Sequence, residues 1–102
     1  MPSQLSEACR LCKIILSKGY SITVNDGDKE VVFRAKNMTD VRSALHKTDE
    51  DYLYVYSADS KNHVGCIYLV YDNMPNGSEL ICDHSTTPEI LSIIEIFDND
   101  QE

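Results

Sequence analysis

Tyr52 to Ser57 alternates tyrosine with aliphatic residues: Leu53 and Val55 fall on one side, Tyr52, Tyr54 and Tyr56 on the other. Successive side chains of a β-strand point to opposite faces, so this segment is predicted as a strand whose two faces differ sharply in polarity. The run Val64 to Tyr71 is apolar on both faces, which suits a central strand and predicts the middle of a sheet. Asp59 to His63 is predicted as the turn between them.

The remaining elements follow from periodicity and punctuation. Leu5, Cys9, Cys12 and Leu16 recur at helical spacing, with Leu11 and Ile15 widening the stripe, so the first helix has Ser3 as its cap and Gly19 as its stop. Tyr20, Ile22 and Val24 alternate with Ser21 and Thr23. Asn25-Asp26-Gly27-Asp28 supplies turn chemistry, and Val31 to Ala35 resumes the extended pattern, which makes a hairpin. Asn37 and Asp40 form the two ends of a capping box for a short helix over Met38 to Lys47, whose buried side is Val41, Ala44 and Leu45. A loop over Asp72 to Ser78 precedes a last strand, Leu80 to Asp83. Thr87, Pro88 and Glu89 then announce a final helix carrying Ile90, Leu91, Ile93, Ile94 and Phe97.

These elements predict an α+β fold in the order α-β-β-α-β-β-β-α, with a mainly antiparallel sheet of about five strands and three helices on one face. At 102 residues the chain can build one core and not two. The expectation is a single domain over residues 1–97, with 98–102 as a frayed acidic tail. Polar and charged residues interrupt Met1 to Lys13, so no targeting segment is expected, and no stretch approaches the ~20 apolar residues of a membrane span. The expected location is the cytoplasm, with Cys9, Cys12, Cys66 and Cys82 as reduced thiols.

The net charge of -8 argues against direct binding to nucleic acid or an anionic membrane, since both demand basic residues. Residues 1–47 hold eight Lys/Arg against five carboxylates, a balance of +3; residues 48–102 hold Lys61 alone against twelve, a balance of -11. The carboxyl half is therefore a strong negative field on a small object.

No pattern of catalytic residues emerges, and no cofactor is expected. Cys9-x-x-Cys12 has zinc or dithiol spacing, and Cys66, Cys82, His63 and His84 could complete a ligand set. Both amino-terminal cysteines nevertheless lie mid-helix on the apolar stripe, where they read as small core residues. Asp83-His84-Ser85 spells a hydrolase triad, but consecutive residues on a strand alternate in direction and cannot form a relay. The Asn25 to Asp28 turn lacks the distal glutamate of a calcium loop.

The candidate binding surface is Asp49, Glu50, Asp51, Tyr52, Tyr54 and Tyr56. Carboxylates would steer a basic protein partner and tyrosines would supply contact area at low entropy cost. The other reading, tyrosines buried beneath a helix, stays open. Three stretches, Thr48-Asp49-Glu50-Asp51, Val64 to Asn73 and Glu79 to Ser85, resemble small uncharacterised accessory proteins of tailed bacteriophages. The resemblance spans roughly residues 14–95 and implies a protein made inside an infected bacterium that binds and redirects or inhibits a host protein; the acidic carboxyl half adds the expectation of a basic target, such as a nucleic-acid-handling factor. Two rival readings remain: a self-associating protein, a homodimer for example, and a small metal-dependent domain or enzyme using the cysteines and histidines.

Overall fold

The computed structural model describes residues 4–59, 61–71 and 80–99. Its elements run α1 (Gln4–Ser17), β1 (Ser21–Asn25), β2 (Glu30–Ala35), α2 (Met38–Ala44), β3 (Glu50–Tyr56), β4 (His63–Val70), β5 (Ile81–His84) and α3 (Pro88–Asn99). This is the α+β order expected. The expected Ser3 cap, the 72–78 loop and the 100–102 end of the tail lie outside the described residues. Among the described residues no helix is long and apolar enough to cross a membrane.

All strand pairs are antiparallel, in the order β2-β1-β3-β4-β5. The centre of the sheet is therefore β3 and not β4, which corrects the expectation drawn from the apolar 64–71 run. The alternate residues of β4, Val64, Cys66, Tyr68 and Val70, are only half-buried, so its apolar character reflects one covered face and one tolerant face.

The covered face is built from Ile22, Val24, Leu53, Val55, Ile67 and Leu69, all without solvent exposure. Against them lie Leu11, Cys12 and Ile15 of α1, Val41 and Ala44 of α2, and Ile90, Ile93 and Phe97 of α3, in one continuous core. Burying an aliphatic side chain of this size contributes roughly 1.5–3 kcal/mol, so this layer dominates the stability. The buried line of α1 passes through Ala8, Leu11, Cys12 and Ile15, and Leu5, Cys9 and Leu16 form its half-buried rim.

Local chemistry fixes the ends of the elements. Gly19 adopts φ +90 and donates its N–H to the Leu16 carbonyl, closing α1. The Asn25 and Asp26 side chains accept N–H groups from Gly27, Asp28 and Lys29, which shapes the first hairpin. Asn37 caps α2 by accepting the Asp40 N–H at 2.9 Å, and its amide donates to the Asp40 carboxylate at 3.0 Å. That helix stops at Ala44, three residues short of expectation. Leu45 is extended and His46 left-handed (φ 57), because the His46 N–H is taken by the Asp51 carboxylate at 2.9 Å.

The last helix extends through Asp98 and Asn99, which the expected boundary assigned to a frayed tail. Arg10 of α1 donates to the Phe97 carbonyl at 2.9 Å and lies over the Phe97 ring at 4.0 Å, so the final turn of α3 is held from the neighbouring helix. At the other end, the Thr87 hydroxyl donates to the Val64 carbonyl. Between these ties α3 approaches β4 at Gly65, where an added Cβ would stand 2.3 Å from Ile90 Cγ1.

Gly65→Ala should therefore destabilise the fold by about 1–3 kcal/mol through overpacking, measured as a lower midpoint in urea unfolding. An unchanged midpoint would mean that α3 does not rest on β4 at this point.

Candidate functional site

The strand alternation that buries Leu53 and Val55 sends Glu50, Tyr52, Tyr54 and Tyr56 to the opposite face of the sheet, where each is half-exposed. No helix among the described residues covers that face. Register continues the row onto the neighbouring strands: Tyr68 lies opposite Tyr52 and Cys66 opposite Tyr54 on β4, and Asn25, Thr23 and Ser21 lie opposite Tyr52, Tyr54 and Tyr56 on β1.

The rings form a continuous file. Tyr68 and Tyr52 stack with centroids 4.4 Å apart, Tyr52 and Tyr54 are near parallel at 6.3 Å, and His63 contacts Tyr54 at 6.0 Å and Tyr56 at 5.3 Å. Arg34 ends the file with its guanidinium 4.5 Å above the Tyr56 ring. At the other end the Tyr68 hydroxyl donates to Glu50.

Three register shifts on the edge strands, two on β2 and one on β5, complete this surface. Val32 pairs with Val24 and Ala35 with Ile22, so β2 carries one additional residue and Arg34, at φ 50, is turned out onto the tyrosine side. Its N–H donates to the Thr23 hydroxyl at 2.9 Å. On β5 the shift between Ile81 and Asp83 brings Asp83 opposite Tyr68.

Two phenols of the site, Tyr54 and Tyr68, are pushed above their ordinary range. The Tyr68 hydroxyl is raised, first by its hydrogen bond to the Glu50 carboxylate and then by burial. Burial raises Tyr54, and the nearby Cys66, Tyr52, Tyr56 and Glu30 add to it. Tyr54 and Tyr68 therefore keep neutral hydroxyls near neutral pH, and the Arg34 guanidinium stands at the Tyr56 end of the file.

The acidic knot expected at residues 49–51 is split. Because β3 begins at Glu50, two residues earlier than the tyrosine pattern suggested, alternation sends Glu50 to the open face and Asp51 into the core. Asp49 is exposed in the preceding bend, where its carbonyl accepts the Tyr71 N–H. Asp51 has no solvent exposure; it accepts the Tyr71 hydroxyl at 2.7 Å and the His46 N–H at 2.9 Å, while its Oδ1 has no hydrogen-bond partner. The His46 ring stacks on Tyr71 at 4.2 Å. Asp51 is a structural group and drops out of the contact surface.

Tyr68, Arg34, His63, Glu30 and Asp83 were absent from the sequence-based surface. Tyr68 carried a usable signal, its alternation with Ile67 and Leu69, but linking it to Tyr52 required the register. Arg34 and Asp83 depend on bulges that no periodicity announces.

The candidate zinc ligands do not converge. Cys12 is buried on α1 with Cys9 half-buried beside the core; Cys66 is half-buried on the open face of β4, and Cys82 is exposed on β5. Among the described residues no three His, Cys, Asp or Glu side chains are placed to share a metal ion. Burial pushes the Cys12 thiol far above its ordinary 9.0, so it sits in the core as a neutral thiol and not as a reactive thiolate. His84 Nδ1 donates to the Ser85 carbonyl, and the Ser85 hydroxyl accepts the Cys66 N–H, so the Asp83-His84-Ser85 sequence forms no relay. The outer side of α3 exposes Leu91 and Ile96 and carries a groove lined by Ser92, Glu95, Ile96 and Asn99. No family model, curated protein or solved structure matches the chain.

The buried carboxyl makes a pH prediction. Burial raises Asp51 above its ordinary 3.8, against the lowering effect of the His46 N–H and the Tyr71 hydroxyl, with His46 lowering it further and Asp26 raising it by charge. Cys12 also lies within electrostatic reach. A raised carboxyl binds its proton more tightly in the folded state, so its stabilising contribution is complete below pH 3.8 and is lost as pH rises through the folded value. Asp51→Asn should lack that loss, and its stability relative to the original chain should rise with pH over this window. Parallel pH curves from urea unfolding would contradict the assignment.

Proposed function

We propose that the protein is a small acidic binding module that docks the open, tyrosine-bearing face of its sheet onto a partner protein with a basic surface. The observation that carries this reading is the file of four half-exposed tyrosines on the sheet face left uncovered by the described helices. Aromatic rings of this kind supply the dominant contact energy at many protein interfaces, at about 2 kcal/mol or more for the best placed. Glu30, Glu50 and Asp83 around the rings complement positive charge and repel phosphate, in keeping with the net charge of -8.

No step of bond chemistry enters this proposal; the protein works by occupying a surface. The likeness to bacteriophage accessory proteins extends it to a specific setting, the cytoplasm of an infected bacterium, where a basic nucleic-acid-handling host protein is the natural target. Carboxylates steer the encounter and the rings hold the complex.

Capture from bacterial lysate with the purified chain should retain a discrete partner at low salt and release much of it at high salt. Tyr54→Glu should reduce that capture at least tenfold, and Lys13→Glu on the exposed side of α1 should leave it unchanged. Equal capture by Tyr54→Glu and the original chain, with both folded by circular dichroism, would remove the open face as the docking surface.

A further inference from the structure

One transverse line of the sheet differs from the others. Pairing places Glu30 of β2, Asn25 of β1, Tyr52 of β3, Tyr68 of β4 and Asp83 of β5 in a single row across all five strands. In its middle Tyr52 and Tyr68 are stacked at 4.4 Å, and exposed carboxylates, Glu30 and Asp83, stand at its two ends. Glu50 lies two residues before Tyr52 on the same face and accepts the Tyr68 hydroxyl. The row thus combines an aromatic floor with carboxylates on three sides.

The chain itself shows what such a floor accepts. Two rows away on the same face, the Arg34 guanidinium lies 4.5 Å above the Tyr56 ring, and on the helical side Arg10 lies 4.0 Å above Phe97 while its nitrogens bond the Glu7 carboxylate at 3.1 Å. The second case shows both halves of the recognition at once: the plane of the guanidinium on a ring, its edge on a carboxylate. The Tyr52–Tyr68 row offers the same two halves, with the Arg34 guanidinium placed two rows away over Tyr56.

We propose that this row seats an arginine side chain of the partner, presented by an extended segment lying across the strands. The proposal rests on the docking reading above and gives its occupant a chemistry. Guanidinium is planar, weakly hydrated and carries five donors in a fixed fork, so it stacks on the tyrosine pair while its edge bonds Glu30, Glu50 or Asp83. A lysine ammonium is compact, more strongly hydrated and lacks the plane. Nucleotides are disfavoured by the three carboxylates. Strands about 4.8 Å apart make the row roughly 19 Å long, the span of about six extended residues.

The test uses three synthetic heptapeptides that alternate glycine with arginine, with lysine or with citrulline, the neutral isostere of arginine. Each is titrated into the full chain at physiological salt and followed by calorimetry and by NMR of the tyrosine rings. The arginine peptide should bind about tenfold tighter than the lysine peptide, the citrulline peptide should bind more weakly than either, and the Tyr52 and Tyr68 signals should shift. Asp83→Asn, on an exposed edge strand, should weaken the arginine peptide severalfold, as Tyr68→Leu should, and Glu95→Gln on α3 should not. Equal affinity for arginine and lysine, no binding at millimolar peptide, or binding without shifts at Tyr52 and Tyr68 would overturn the seat. A lysate partner lost with Tyr54→Glu but not displaced by the arginine peptide would overturn the arginine seat alone. Capture indifferent to Tyr54→Glu would overturn the docking face and the seat together.

Discussion

The two sides of β3 are committed to different surroundings, and the remaining structure is arranged around that division. Leu53 and Val55 are fully buried beneath the helices, while Tyr52, Tyr54 and Tyr56 are half-exposed on the reverse. Because β3 lies at the centre, β1 and β4 inherit its division through register, giving an aliphatic layer of Ile22, Val24, Ile67 and Leu69 and an opposite layer of Ser21, Thr23, Cys66 and Tyr68. Hydrophobic burial needs only one covered face. On the other face Ser21 and Thr23 have no solvent exposure, and it is the tyrosines that meet water, with an apolar body against the sheet and a polar tip outward.

Edge strands then decide what the open face carries. On β2 an additional residue between Val32 and Ala35, with Arg34 at a left-handed φ of 50, accompanies the placing of the Arg34 guanidinium over Tyr56. The shift on β5 likewise brings Asp83 into line with Tyr68. Such bulges also interrupt the regular hydrogen-bonding rim that would otherwise template pairing with another chain. The polarity of the open face, cationic at Arg34 and anionic at Glu30, Glu50 and Asp83, is thus a product of register irregularity as much as of composition.

Much of the architecture was legible because its signals are local. The Asn37 cap, the Asn25 to Asp28 turn, the Thr87-Pro88 start of α3 and the alternation of Tyr52 to Tyr56 each depend on a few neighbouring residues, and each element appears close to its expected place. What escaped depends on contacts distant in sequence. The central position of β3 follows from pairing with β1 across α2. The early end of α2 follows from Asp51 capturing the His46 N–H, and the split of the 49–51 knot from β3 starting at Glu50. The tyrosine face was half-read, since three of its rings share one strand and the fourth, Tyr68, is joined to them by register alone.

The tyrosine face meets solvent while the Asp51–Tyr71 side does not. A soluble paramagnetic agent added to the isolated protein tests it through the relaxation of each tyrosine ring in NMR. Tyr52, Tyr54, Tyr56 and Tyr68 should show strong enhancement and Tyr71 almost none, since Tyr71 is buried and its hydroxyl is bonded to Asp51. Protection of the four platform rings to the level of Tyr71 would contradict it, showing that the face is covered in the free protein and is not the surface presented to a partner.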